Sequence, residues 1–195
     1  MAKQQRKASA GKLRIIGGKW RSRFLQVADL PGLRPTTDRV RETLFNWLQN
    51  DVAGAQCLDL FAGSGALGFE AASRGAASVL MLEKQSPAVR ILNANVQELN
   101  ADTVQVLQQD AIGWLNSNPP TIFDIVFIDP PFASDYLAPA CQLLEDKQCL
   151  SEHACIYLEM DRKDDLPELP QGWNVVREKK AGQVSYYLVR RNYDG

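Results

Sequence analysis

The chain has 195 residues, 45% of them hydrophobic, and a formal net charge of −1, a composition that suits one globular domain able to bury a core. No apolar run approaches membrane-spanning length, and Met1–Gly11 is polar and basic without the apolar stretch of a secretory signal. The charge is unevenly spread: residues 1–42 carry 11 Lys/Arg against 3 Asp/Glu and residues 43–195 carry 11 against 20, so a basic segment precedes an acidic body and suggests an arm for a polyanion, nucleic acid above all.

Residues 1–12 read as a basic flexible tail. Leu13-Arg14-Ile15-Ile16 and Phe24-Leu25-Gln26-Val27 are short β-like runs around Gly17-Gly18, which predicts a hairpin. Its connection sets Trp20 among Lys19, Arg21 and Arg23, a stacking surface with cations that suits RNA; the same Trp20 also fits a hairpin packed on the main domain. Leu33-Arg34-Pro35-Thr36-Thr37-Asp38 leads into a helix with Thr and Asp as N-cap candidates. Val40, Leu44, Trp47 and Leu48 form its apolar stripe with Phe45 beside it, and Arg39, Arg41 and Glu42 lie off the stripe. Residues 13–50 thus form an RNA-facing extension, and residues 51–195 form the main domain.

From there the pattern alternates. Strands are predicted at Gln56–Phe61, Ser78–Glu83, Thr103–Leu107, Phe123–Ile128 and Ala154–Glu159. Helices are predicted at Gly65–Ser73, from Ser86 to Leu99 with Pro87 in the first turn, at Ala111–Leu115 and around Tyr136–Leu144. Such alternation means a parallel sheet with helices on both faces. Trp173–Arg177 and Val184–Arg190, joined by Glu178–Gln183, read as an antiparallel pair closing one edge. Cys57, Cys141, Cys149 and Cys155 show no C-x-x-C pairing and point to reduced thiols in a cytoplasmic setting. A zinc site from Cys141, Cys149, His153 and Cys155 fits no usual spacing, so no metal is assigned.

Chemistry concentrates at strand ends. Gly63, Gly65 and Gly68 spell G-x-G-x-x-G between the first strand of the domain and its helix, which makes an NAD-dependent oxidoreductase the first reading. Asp59, just upstream, would crowd a pyrophosphate but suit a cationic or zwitterionic ligand. S-adenosylmethionine fits: Asp59 faces its positive groups, Glu83 accepts from both ribose hydroxyls, and Asp110 accepts from the adenine amine. Phe123–Ile128 ends abruptly at Asp129-Pro130-Pro131-Phe132. Proline cannot continue a central strand, so these residues sit just past its C-terminal end, where open α/β sheets bind ligands. An acceptor cluster beside an aromatic face suits a nucleobase amine taken out of its stack.

Asp59-x-Phe61-Ala62-Gly63-Ser64-Gly65, Glu83 and Asp129-Pro130-Pro131-Phe132 resemble the motifs of class I S-adenosylmethionine-dependent methyltransferases that act on amines. Arg14–Gly18 and Leu33–Leu48 extend the likeness over Leu13 to about Arg190 and narrow it to the RsmD family, the bacterial small-subunit (16S) ribosomal RNA guanine-N2 methyltransferases. The resemblance implies a Rossmann-like α/β fold whose seven-stranded, mostly parallel sheet has one antiparallel strand and the order 3-2-1-4-5-7-6. It implies S-adenosylmethionine held by Asp59, Phe61, Ala62, Gly63, Ser64, Gly65, Glu83, Asp110 and Ala111, and catalysis at Asp129, Pro130, Pro131 and Phe132. The RNA would be held by Lys19, Trp20, Arg21, Arg23, Arg34, Arg39 and Arg41, and the partner would be small-subunit ribosomal RNA met by a cytoplasmic monomer. Asp-Pro-Pro-Phe also serves adenine-N6 methyltransferases, and a non-catalytic RNA-binding module stays open from the residues alone.

Overall fold

The computed structural model describes residues 11–30, 36–117, 121–131 and 134–192. β1 (Gly11–Arg14) and β2 (Phe24–Val27) form a two-stranded antiparallel hairpin, and α1 (Asp38–Trp47) follows, its first turn capped where Val40 N donates to Thr37 Oγ1 at 3.4 Å. The alternating region then gives β3 (Gln56–Asp59), α2 (Ala66–Ser73), β4 (Ser78–Glu83), α3 (Ser86–Leu99), β5 (Val104–Gln108), α4 (Ala111–Ser117), β6 (Phe123–Ile128), α5 (Leu137–Asp146), β7 (Leu150–Asp161), β8 (Trp173–Ala181) and β9 (Val184–Arg191). The large sheet has the order β5-β4-β3-β6-β7-β9-β8; β3 to β7 are parallel, and β9 runs antiparallel between β7 and β8. Counting only these seven strands along the chain, the order is 3-2-1-4-5-7-6, as the resemblance implied. α1, α2, α3 and the hairpin share a core with one face of the sheet, and α4 and α5 cover the other.

Two strands outrun their apolar signal. β7 starts at Leu150, four residues before the expected Ala154, because a bulge lets Leu150 pair with Phe123 and Cys155 with Ile125. β8 continues past Arg177 to Ala181 as an exposed edge strand, whose ladder bonds to β9 need no apolar side chains. The cysteines divide between the layers: Cys57 and Cys155 lie on the α1–α3 side, Cys141 and Cys149 on the α4–α5 side.

The hairpin is fastened through its basic connection. Gly18 has φ +74°, and a Cβ there would sit 1.8 Å from the Ser73 carbonyl oxygen, so only glycine permits this approach. Lys19 N donates to Ser73 O (2.8 Å) and Trp20 N to Ser73 Oγ (3.0 Å), while Ile16 N and Gly17 N donate to the Glu70 carboxylate (2.9 and 2.8 Å). Two expectations are corrected here. Trp20, expected as an RNA-stacking ring, is only 7% exposed because its ring closes the seam between hairpin and domain. Arg41, expected against phosphate, is 0% exposed. Its guanidinium donates to Asp38 (2.6 Å), the Arg14 carbonyl (2.8 Å) and Glu70 (3.4 Å). The helical wheel placed Arg41 off the apolar stripe, but the docked hairpin covers that flank as well. Lys19, Arg21, Arg23 and Arg39 remain exposed.

Candidate functional site: an acid-lined cavity at the strand ends

In a parallel sheet every strand points its C-terminal end to the same edge, so residues far apart in sequence meet there. Asp59 ends β3, Glu83 ends β4, Asp110 follows β5, Asp129 follows β6 and Glu159 lies near the end of β7. All five line one cavity of about 770 Å³. The glycine loop walls it through Phe61, Ala62, Gly63 and Ser64, α1 and the residues before it contribute Thr36 and Arg39, and the β8–β9 hairpin adds Lys179, Lys180 and Tyr186.

Within the loop, Gly63 (φ +51°) and Gly65 (φ +76°) make the turn from β3 into α2. Gly65 itself does not line the cavity; its N–H donates to Ala62 O at 2.6 Å, and a Cβ there would meet Phe69 and Leu92 at 2.7 Å. Gly68 lets α2 approach the sheet, a Cβ there falling 2.4 Å from Met81 Cε. Glu83 anchors the loop by accepting from Gly63 N (3.0 Å) and Gln85 N (2.7 Å). Asp110 caps α4 by accepting from Gly113 N (2.9 Å) and keeps its place on the cavity wall beside Ala111. Phe61 stacks on Tyr136, with centroids 5.9 Å apart and planes at 17°.

The two acids nearest the sheet axis are held in strained electrostatics. Asp59 accepts from Gly68 N at 3.1 Å but is 2% exposed. Burial pushes its carboxyl up to about 7, with the nearby Glu83 charge adding to the effect. Asp129 takes a 3.4 Å hydrogen bond from the Thr36 hydroxyl and is pushed well above the carboxylate range by burial, then by Glu159 and Asp59. Pro130 and Pro131 line the cavity beside it. Phe132 and Arg34 lie outside the described residues. Among the described residues no three His, Cys, Asp or Glu side chains are grouped to hold a metal.

Asp59 has a measurable signature. A buried carboxyl raised from an unfolded value near 4 to about 7 contributes full stability below pH 4 and loses it as pH climbs through 7, because only the unfolded chain ionises in that window. Asp59→Asn keeps an acceptor for Gly68 N and removes the charge. Thermal unfolding should show the variant gaining about 2–3 kcal/mol more over the parent at pH 8 than at pH 5. An equal gain at both pH values would mean Asp59 is not held protonated by its surroundings.

The family model described as "Conserved hypothetical protein 95" matches residues 13–190. Over 193 residues the chain is 47% identical to ribosomal RNA small subunit methyltransferase D of Escherichia coli K12, covering 99% of this chain and 97% of that one. The chain belongs to this family. The Haemophilus influenzae protein of the same name is 43% identical over 97% of this chain and all of its own length. The solved structure titled "Putative methyltransferase yhhF from Escherichia coli" superposes with a TM-score of 0.87 at 46% identity, over 93% of this chain and 99% of that one.

Family membership makes the cavity a methyltransferase site and exposes what the sequence reading left out. Thr36, Tyr136, Glu159, Lys179, Lys180 and Tyr186 all line it. Glu159 was within reach, because the rule that selected acids at strand ends applies equally to Tyr157-Leu158-Glu159 at the end of β7. Lys179 and Lys180 carried no such signal, since only the β8–β9 turn brings them to the rim.

Proposed function

We propose that the protein transfers a methyl group from S-adenosylmethionine to the exocyclic N2 amine of a guanine in small-subunit (16S) ribosomal RNA. The observation that carries this reading is that Asp129 and Pro130 share one cavity with Asp59, Glu83 and Asp110. The cofactor supplies an electrophilic methyl on a positively charged sulfur. Asp59, a buried carboxylate that accepts only backbone N–H groups, fits that positive ligand, which would restore the ionised form. Glu83 would hold the ribose hydroxyls; Asp110 and Ala111 would hold the adenine; Phe61 to Gly65 would form the wall and turn against it.

On the substrate side the amine is a weak nucleophile, because its lone pair is shared with the ring. Asp129 and the Pro130 carbonyl accept its two hydrogens, turn the lone pair toward the methyl and stabilise the positive charge that develops on nitrogen. Pro131 stiffens the loop, and Phe132 would stack on the base. A base in this position must leave its helix, so the phosphates around it need holding. Lys19, Arg21, Arg23, Arg34 and Arg39 would do so with Lys179 and Lys180; Trp20 and Arg41 act by fixing the hairpin. The substrate is ribosomal RNA within an assembled or assembling subunit, and the protein acts as a monomer in the cytoplasm. No helix among the described residues is long and apolar enough to cross a membrane.

The test is transfer of labelled methyl to small subunits lacking their native methylations, followed by digestion to nucleosides and mass spectrometry. N2-methylguanosine is expected. N6-methyladenosine would overturn the base assignment, and an absence of transfer by protein that binds the cofactor would overturn the substrate.

A further inference from the structure

We infer that Glu159 reads the N1–H of the target guanine beside Asp129 and so selects guanine over bases that present a lone pair at that position. This deepens the reading above and rests on it.

The placement follows from the sheet. β6 and β7 are parallel with Ile128 opposite Leu158, so the next pair, Asp129 and Glu159, stand abreast on strands about 5 Å apart. Ile128 and Leu158 face the α4–α5 layer, and Phe127 and Tyr157 face the α1–α3 layer. Alternation along a strand returns Asp129 and Glu159 to the Phe127–Tyr157 side, where both line the cavity. Glu159 is 5% exposed and, among the described residues, has no ion-pair partner. Its Oε2 accepts the Tyr157 hydroxyl at 2.5 Å, and Tyr186 of β9 lies opposite it in register.

Two carboxylates abreast in a largely apolar wall are unfavourable unless a ligand brings donors to both. Burial raises the carboxyls of both groups, and each charge bears on the same small space. The Tyr157 hydroxyl donates to Glu159 and so favours its acceptor form. Guanine offers the matching edge: N1–H and the N2 amine are adjacent, and every group there donates. Adenine offers an amine beside the N1 lone pair, which would face a carboxylate with no hydrogen between them. Asp129 takes the amine, and Glu159 takes the neighbouring N1–H. Mere burial of an acid near the active site would predict no preference at N1.

The decisive probe is 2-aminopurine, which keeps the 2-amine and has a lone pair at N1. Subunits are rebuilt with guanine or 2-aminopurine at the nucleotide mapped by the methylation experiment, and kcat/KM is measured for each. The unaltered protein should prefer guanine by about 10–100-fold, the range for losing a hydrogen bond to a charged group. Glu159→Gln can turn its amide to donate to N1, so it should slow transfer to guanine and narrow the preference by about tenfold. Equal rates on the two bases with the unaltered protein would overturn the inference without any variant. So would a Glu159→Gln protein that binds S-adenosylmethionine normally and keeps the full preference, because that is a structural role. If mapping gave N6-methyladenosine, the guanine reading itself would have failed before this experiment began.

Discussion

Asp129→Asn should lower the rate of methyl transfer by about 10²–10³-fold while leaving S-adenosylmethionine affinity nearly unchanged. The asparagine keeps the shape and one acceptor, but it loses the charge that offsets the cation forming on the amine nitrogen. The cofactor's expected partners, Asp59 and Glu83, are on other strands and are untouched. The same change should raise stability at neutral pH, since Asp129 is held well above the carboxylate range by burial and by Glu159. The sign follows directly: a folded state that resists ionisation of Asp129 loses stability as pH rises, and an amide has no proton to lose. Single-turnover transfer, equilibrium cofactor titration and thermal unfolding at pH 8 measure the three quantities. A variant that is both more stable and far slower is a site whose strain serves chemistry. Full activity in Asp129→Asn would remove Asp129 from the reaction.

Arg41→Met should cost about 3 kcal/mol of stability, roughly 10 °C in Tm for a chain of this size, with no change in the salt dependence of RNA binding. The Arg41 guanidinium ties α1 to the hairpin through the Arg14 carbonyl and to α2 through Glu70. Glu70 keeps Arg74 at 2.8 Å and two backbone N–H groups, so its own charge stays compensated. The loss is therefore that of a broken buried network and falls short of a fully stranded charge. Arg39→Ala is the contrast: exposed at the cavity, it should leave Tm alone and make the salt slope shallower by about one. If Arg41→Met flattened the slope as Arg39→Ala does, its burial would be irrelevant to its role.

The local pattern was enough to locate most of the fold and half of the site. Strands and helices announced themselves because apolar periodicity is a local property, and errors gathered where pairing overrides it, at the bulge before Cys155 and along the polar edge strand β8. Asp59, Glu83, Asp110 and Asp129 were legible because a parallel sheet sends all its strand ends to one edge, whatever lies between them.

What the sequence by itself determined is the alternating α/β architecture, the glycine turn, and the acids that follow the strands, each fixed by neighbours within a few residues. Only the tertiary structure decided which cations are free and which are walls. Arg39 and Arg41 differ by two positions on one helix, yet the hairpin buries one and leaves the other exposed, because Gly18 lets its backbone reach the end of α2. Only the structure set Glu159 abreast of Asp129 and carried Lys179 and Lys180 to the rim, since strand register and sheet order are long-range quantities that no window of the sequence contains.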